Sequence, residues 1–329
     1  FRMTPSIPSV PIANGQLPLF GLGTWTATNA DELRVALRTA LDSGYRLIDT
    51  AGIYQNEHVI GEVLEEYFKA GKLKREELFI TTKLPFYAMN PEAAEGSIKK
   101  QLAELRLDYV DLYLVHCPCA MKQENGIFVN ENEIEHIDIW RVLEKYYKEG
   151  KLKALGVSNF NAQQIEDLYS KAEIKPSNLQ VELHIYWPQH ELHDLCKKLN
   201  MTLTAYAPIG SPGRIAFRPS EYWPEGNPLE DEVVVEIAKK YGKTSAQVLL
   251  RHLIQRGISV IPKSTNPSRV LQNIDIFDFE LSPEDQQKLL DIKKRVRLFE
   301  FRFCGGNRHF PFTDVDLSII GKKDEDPDM

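Results

Sequence analysis

Short apolar runs alternate with helix-patterned stretches along almost the whole chain, and this alternation limits the folds open to it. Eight runs have the length and content of strands: Phe20–Trp25, Arg46–Asp49, Leu78–Lys83, Leu112–His116, Ala154–Ser158, Leu179–Glu182, Thr202–Tyr206 and Ser259–Lys263. Between them apolar residues recur at helical spacing, as in Leu33, Val35, Ala36, Ala40 and Leu41, and again in Val59, Ile60, Val63, Leu64 and Tyr67. Asn56-Glu57 reads as a helix start and Gly71 and Gly150 as helix stops, and a last helix is expected over Pro283–Arg295. Strand–helix repeats of this kind make parallel βαβ units. Eight of them close naturally into a barrel, which leaves no sheet edge exposed. An open doubly wound sheet would announce a nucleotide site with G-x-G-x-x-G, of which Gly21-Leu-Gly23 supplies half. The reading is therefore α/β, a (β/α)8 TIM barrel forming a single domain over residues 1–329. It carries long carboxyl-face loops, an aromatic C-terminal tail (Leu298–Phe312) and a disordered acidic end (Lys322–Met329).

A formal net charge of −7 argues against nucleic acid or an anionic membrane as partner. No stretch approaches the roughly 20 apolar residues of a membrane helix, and the amino terminus lacks the pattern of a secretory signal. Cys117, Cys119, Cys196 and Cys304 are too few and too irregularly spaced for a disulfide framework or a zinc site. Cys117-Pro-Cys119 lacks the two-residue spacer of the usual metal or redox motif, so the four read as free thiols in a reducing, cytoplasmic setting with no metal. The sequon Asn200-Met-Thr202 is idle on that reading. Nothing demands more than a monomer. Two intervals exceed a simple connection: Cys117–Glu135, and the proline- and glycine-rich Pro208–Asn227, which includes Pro219. Long unstructured connections in a compact domain are usually lids or binding loops.

Three successive strands end in reactive residues. The second ends at Asp49, with Tyr54 just beyond it; the third ends at Lys83 and the fourth at His116. Singly, each has an ordinary explanation as a cap, a solvated lysine or a core histidine. Together they occupy the carboxyl ends of adjacent barrel strands, where barrels collect their chemistry. A phenol has a pKa of about 10 and is a poor acid at neutral pH, but a neighbouring ammonium stabilises its phenolate. A carboxylate holds that ammonium charged, and an imidazole can donate to a substrate oxygen. Such a set protonates an alkoxide forming from a carbonyl; it contains no nucleophile and requires a hydride donor, hence a nicotinamide cofactor.

Three long motifs resemble those of the aldo-keto reductases, in the aldose/aldehyde reductase-like and hydroxysteroid dehydrogenase-like branches. They are Asp49-Thr-Ala-x-x-Tyr54-x-Asn-Glu57-x-x-x-Gly61, then Leu105-x-Leu107-Asp-Tyr-Val-Asp-Leu-Tyr-Leu-x-His116 with Gly156-Val-Ser158-Asn159-Phe160, and Ile261-Pro-Lys263-Ser264-x-x-x-x-Arg269-x-x-x-Asn273. The resemblance implies a (β/α)8 barrel and NADPH/NADP+, with Tyr54 as acid, Asp49 and Lys83 tuning it and His116 orienting the carbonyl. It also implies that Ser158, Asn159 and Gln180 hold the nicotinamide carboxamide and that Tyr206 stacks on the ring. Lys263, Ser264, Asn266 and Arg269 match the grip on the 2′-phosphate, and Gly23, Thr24, Ile209, Ser211, Thr265, Gln272 and Asn273 complete the cofactor set. An imidazole at 116 suits carbonyl reduction, whereas members acting on a steroid carbon–carbon double bond carry glutamate there.

The chain departs from the pattern at several positions. Ala207 replaces a common serine and Gln272 a common glutamate, both on the cofactor side. Cys117 stands where aldose-reductase-like members often carry tryptophan, and Pro85 replaces another aromatic, so one wall is expected to be less aromatic. Trp25 is retained, and with Trp223, Phe301 and Phe303 it is expected to line the substrate pocket. Sugar, steroid, prostaglandin and lipid carbonyls stay open as the small-molecule substrate. The alternatives are a non-catalytic cofactor-binding regulatory or structural protein on the same barrel, and a barrel metallohydrolase, which lacks the paired histidines it needs.

Overall fold

In the computed structural model, which describes residues 6–218 and 222–319, eight parallel strands form one sheet in chain order. A hairpin, β1 (Ser9–Ile12) and β2 (Gly15–Pro18), precedes it. The barrel strands are β3 (Leu22–Gly23), β4 (Leu47–Asp49), β5 (Phe79–Leu84), β6 (Leu112–Val115), and, beyond a second hairpin of β7 (Met121–Glu124) and β8 (Ile127–Asn130), β9 (Leu155–Ser158), β10 (Asn178–Glu182), β11 (Thr202–Tyr206) and β12 (Ser259–Val260). Parallel bridges Phe20–Val260 and Gly23–Lys263 join the last strand to the first and close the cylinder. A (β/α)8 barrel results. The close approach at that seam requires glycine, since a Cβ on Gly23 would lie 2.5 Å from the Ile261 carbonyl oxygen.

Period-two alternation sorts the strand residues. Ile48, Ile80, Tyr113, Val115, Leu155, Val157, Leu179 and Leu203 point outward into the main core beneath the helices. Leu47, Phe79, Leu112, Leu114 and Ile261 point inward, packing with Leu17 of the first hairpin to plug the amino-terminal end. The surrounding helices include α1 (Ala30–Asp42), α2 (Glu57–Lys69), α3 (Pro91–Leu105), α4 (His136–Lys148), α5 (Ala162–Lys171) and α6 (His190–Lys198). After β11 come α7 (Arg214–Phe217), α8 (Glu232–Tyr241), α9 (Ser245–Gln255), α10 (Pro267–Ile274) and α11 (Pro283–Leu290). Side-chain caps at Asn29, Asn90, Asn161, Thr244, Asn266 and Ser282 satisfy amides at helix starts.

Several expectations need correction. The connection 117–135 contains the β7–β8 hairpin, turning at Asn125-Gly126 with both φ angles positive. Asn-Gly between alternating residues is the usual signal for such a turn. The connection 208–227 contains α7. Asn56 makes no cap although α2 does start at Glu57; its amide instead donates to the Thr24 and Ala27 carbonyls. The last helix stops at Leu290, not Arg295, because the chain turns back to the barrel, where the Val296 amide meets the Tyr186 carbonyl (3.0 Å). Pro219 and the acidic run 322–329 lie outside the described residues.

Candidate active site

The alternation that fills the barrel floor with Leu47, Phe79 and Leu114 also decides which residues face inward at its upper end. Asp49 is two residues beyond Leu47, Lys83 lies beside Leu114, and His116 follows it at the next inward position. Ser158, Gln180 and Tyr206 share that parity on β9, β10 and β11. All open toward one cavity of about 770 Å³, except Lys83, which lies fully buried behind Asp49. Tyr54 enters from a single helical turn, Gly52–Tyr54, directly after β4.

Asp49 accepts from Lys83 Nζ at 2.5 Å through one oxygen and from Gln180 Nε2 at 2.8 Å through the other. Lys83 also donates to the Thr50 carbonyl at 2.8 Å, and its Nζ lies 5.2 Å from the centre of the Tyr54 ring. The His116 ring meets Tyr54 edge-on, with centroids 5.7 Å apart. Burial, with Lys83 adding to it, holds His116 well below the usual imidazole range, so the ring is neutral near pH 7 and its Nδ1 is an orphaned buried atom. Burial likewise lowers the Lys83 ammonium, and Asp49 opposes that shift. The Tyr54 phenol is pushed well above its ordinary value, by burial first and then by the Asp49 and Glu57 carboxylates. This reverses the sequence expectation of an acidified phenol: at rest Tyr54 keeps its proton.

Ser158 and Asn159 stand beside His116. The Asn159 amide donates to the His116 carbonyl (2.9 Å) and to Ser158 Oγ (3.1 Å), and its oxygen accepts from Tyr206 (2.8 Å). Gly23, Thr24, Ile209 and Ser211 line the same cavity. It is also lined by Lys263, Ser264 and Thr265, ahead of the start of α10, where Asn266 caps the Arg269 amide (3.1 Å), and by Gln272 and Asn273 on that helix. Among the described residues neither the Lys263 ammonium nor the Arg269 guanidinium makes an ion pair. Two uncommitted cations beside a helix amino terminus suit a phosphate dianion. The donor set and the cavity fit a phosphorylated dinucleotide.

Trp25, Trp223, Phe301 and Phe303 all line the cavity. Phe299, which sequence reasoning passed over, joins them, with its ring 5.5 Å from Trp25, 5.6 Å from Trp223 and 5.5 Å from Tyr206. On the wall expected to be less aromatic, Phe86, next to Pro85, lines the cavity and packs on Phe303 at 5.3 Å. Thr244 and Ser245 at the start of α9 were also missed; the capping box Thr244-x-x-Gln247 was their readable signal. Cys117, Cys119 and Cys304, read as free thiols, are free, and their sulfurs lie within 4.8 Å of one another.

The aldo/keto reductase family model matches residues 19–294. The chain belongs to the aldo/keto reductase family. Aldo-keto reductase family 1 member A1 of Bos taurus is 43% identical over 290 residues, covering 86% of this chain and 88% of that protein. The Mus musculus protein of the same name is 43% identical over 300 residues, covering 88% and 90%. The solved aldose reductase of Schistosoma japonicum superposes with a TM-score of 0.83 at 37% identity, covering 92% of this chain and 97% of that one. The family is one of oxidoreductases acting on small carbonyl compounds. No helix among the described residues is long and apolar enough to cross a membrane.

Proposed function

We propose that this aldo/keto reductase reduces aldehydes or ketones to alcohols with NADPH, and that Tyr54 is the general acid. The observation that carries the reading is that one cavity is lined both by Tyr54 and His116 and by the unpaired Lys263 and Arg269. Bound there, NADPH supplies the hydride. The chain's own residues do the rest. The neutral His116 imidazole donates a hydrogen bond to the carbonyl oxygen and places it beside Tyr54. The phenol then gives its proton to that oxygen as negative charge develops on it. Lys83, held charged by Asp49, stabilises the phenolate left behind. Asn159, Ser158 and Gln180 offer amide and hydroxyl groups to the nicotinamide carboxamide, and the Tyr206 ring supports one nicotinamide face. Phe299, Phe301 and the two tryptophans exclude water and favour an apolar carbonyl substrate.

All the groups in this scheme come from one chain, so the unit we propose is a monomer. Arg269→Ala is expected to raise the KM for NADPH more than that for NADH, measured as steady-state kinetics with 4-nitrobenzaldehyde. Equal effects on the two cofactors would remove the 2′-phosphate assignment. Fluorescence titration of the same proteins shows whether NADPH binds at all. Binding without turnover in the unmodified chain would favour a regulatory or structural role on the same barrel.

A further inference from the structure

Cys117 and Cys119 follow His116 on the turn after β6, and Cys304 ends the short helical turn Arg302–Cys304 of the C-terminal segment. The three lie 185 or more positions apart across the segments, yet their sulfurs fall within 4.8 Å of one another and all three side chains are buried. We propose that they form a binding site for a thiophilic d10 cation of the Zn2+ class, with an open fourth position on the substrate side.

The donor geometry is close to what such an ion needs. Zn–S bonds of about 2.3 Å in a tetrahedral site put sulfurs about 3.8 Å apart, so the cluster has to contract by less than about 1 Å. The turn that carries two of the ligands is pinned at alternate carbonyls. The His116 carbonyl accepts from Asn159 (2.9 Å), that of Pro118 from the His136 ring (2.8 Å) and that of Ala120 from Asn307 (2.9 Å). Asn307 lies three residues beyond Cys304, so the same bond ties the third ligand's segment to the first two. Three protein ligands and one open position is the arrangement of a zinc site accessible to small molecules. Cys117 lines the carbonyl cavity while Cys119 and Cys304 do not, which sets the direction of that opening. Each sulfur–metal bond forms as its thiol proton leaves to solvent, so binding weakens at low pH.

The test is an anaerobic titration of the reduced, full-length protein with Co2+, read by its thiolate charge-transfer and ligand-field absorption, followed by displacement with Zn2+. One equivalent is expected to give the bands of a tetrahedral thiolate site, and Zn2+ to abolish them. Cys119→Ser and Cys304→Ser are each expected to weaken binding by at least the roughly 10- to 100-fold that loss of an outer-shell partner costs. Cys196→Ser, on α6 in the main core, should change nothing. Saturating Zn2+ is expected to raise the KM for bulky carbonyl substrates in the unmodified protein but not in Cys119→Ser. Absence of thiolate bands at one equivalent, or binding indifferent to Cys119→Ser and Cys304→Ser, would overturn the site.

Discussion

Lys83 and Asp49 are both buried, and each is the other's compensation. Removing one member of such a pair strands a charge away from water and typically costs about 3–5 kcal/mol. Lys83→Met is therefore expected to destabilise strongly in denaturant unfolding, although Gln180 still bonds Asp49. Adding Asp49→Asn should recover most of that loss, because both charges are then gone. Turnover should stay low in both variants, since neither retains the ammonium proposed to steady a Tyr54 phenolate. A double variant as unstable as the two single losses summed would refute the pairing. Of the reactive four, all were legible in the sequence because each ends a strand or follows one directly. What was not legible is the sign of the Tyr54 shift. Burial and two carboxylates outweigh the lysine in the resting protein, and the sequence cannot weigh desolvation against charge.

Outside the barrel wall, strand β5 and helices α2 and α3 enclose a second polar group. Glu57 accepts from Thr82 (2.5 Å) and Gln101 (3.2 Å), and Gln101 accepts from Tyr113 (2.6 Å). Burial raises the Glu57 carboxyl to about 7, although both hydrogen bonds oppose it. The folded chain thus keeps a proton that the unfolded chain has lost above its ordinary value near 4.5. Stability should fall as pH rises from about 4.5 to about 7 and then level off, by up to about 3 kcal/mol at 1.4 kcal/mol per unit. Glu57→Gln should flatten that slope in unfolding measured at pH 5 and pH 8; an unchanged slope would place the titration elsewhere. The eight strands were legible because their alternation is read twice, by the core outside and by the floor inside. The β7–β8 hairpin was missed although Asn125-Gly126 signals it, because polar Lys122, Gln123 and Glu124 hide the strand pattern. The end of α11 was missed because long-range bonds to Tyr186 and Glu182, not local propensity, redirect the chain.

The C-terminal segment completes the cavity, and one carboxylate fastens it. Glu182, buried at the end of β10, accepts from the Leu298 amide (2.6 Å), the Phe299 amide (2.9 Å) and the His184 ring (2.8 Å). Arg297 adds an ion pair to Asp314 (2.9 Å) and lies 3.7 Å from the Phe312 ring centre. Glu182→Gln leaves one amide without an acceptor, a loss of about 1–3 kcal/mol. Because Phe299, Phe301 and Phe303 ride on this segment, the carbonyl KM should rise more than the NADPH KM; a larger effect on NADPH would contradict that anchoring role. Arg214 fastens the opposite loop, donating to the Gly210, Ser211, Pro224 and Gly226 carbonyls. Barrel, loops and aromatic wall thus enclose one cavity, and Tyr54, the proposed acid, lines it. The most direct test is NADPH consumption with 4-nitrobenzaldehyde by Tyr54→Phe, beside its NADPH binding by fluorescence. Removing a general acid costs on the order of 100- to 10,000-fold, so turnover should fall by at least about 100-fold with binding retained; near-normal turnover would show that Tyr54 is not the proton donor.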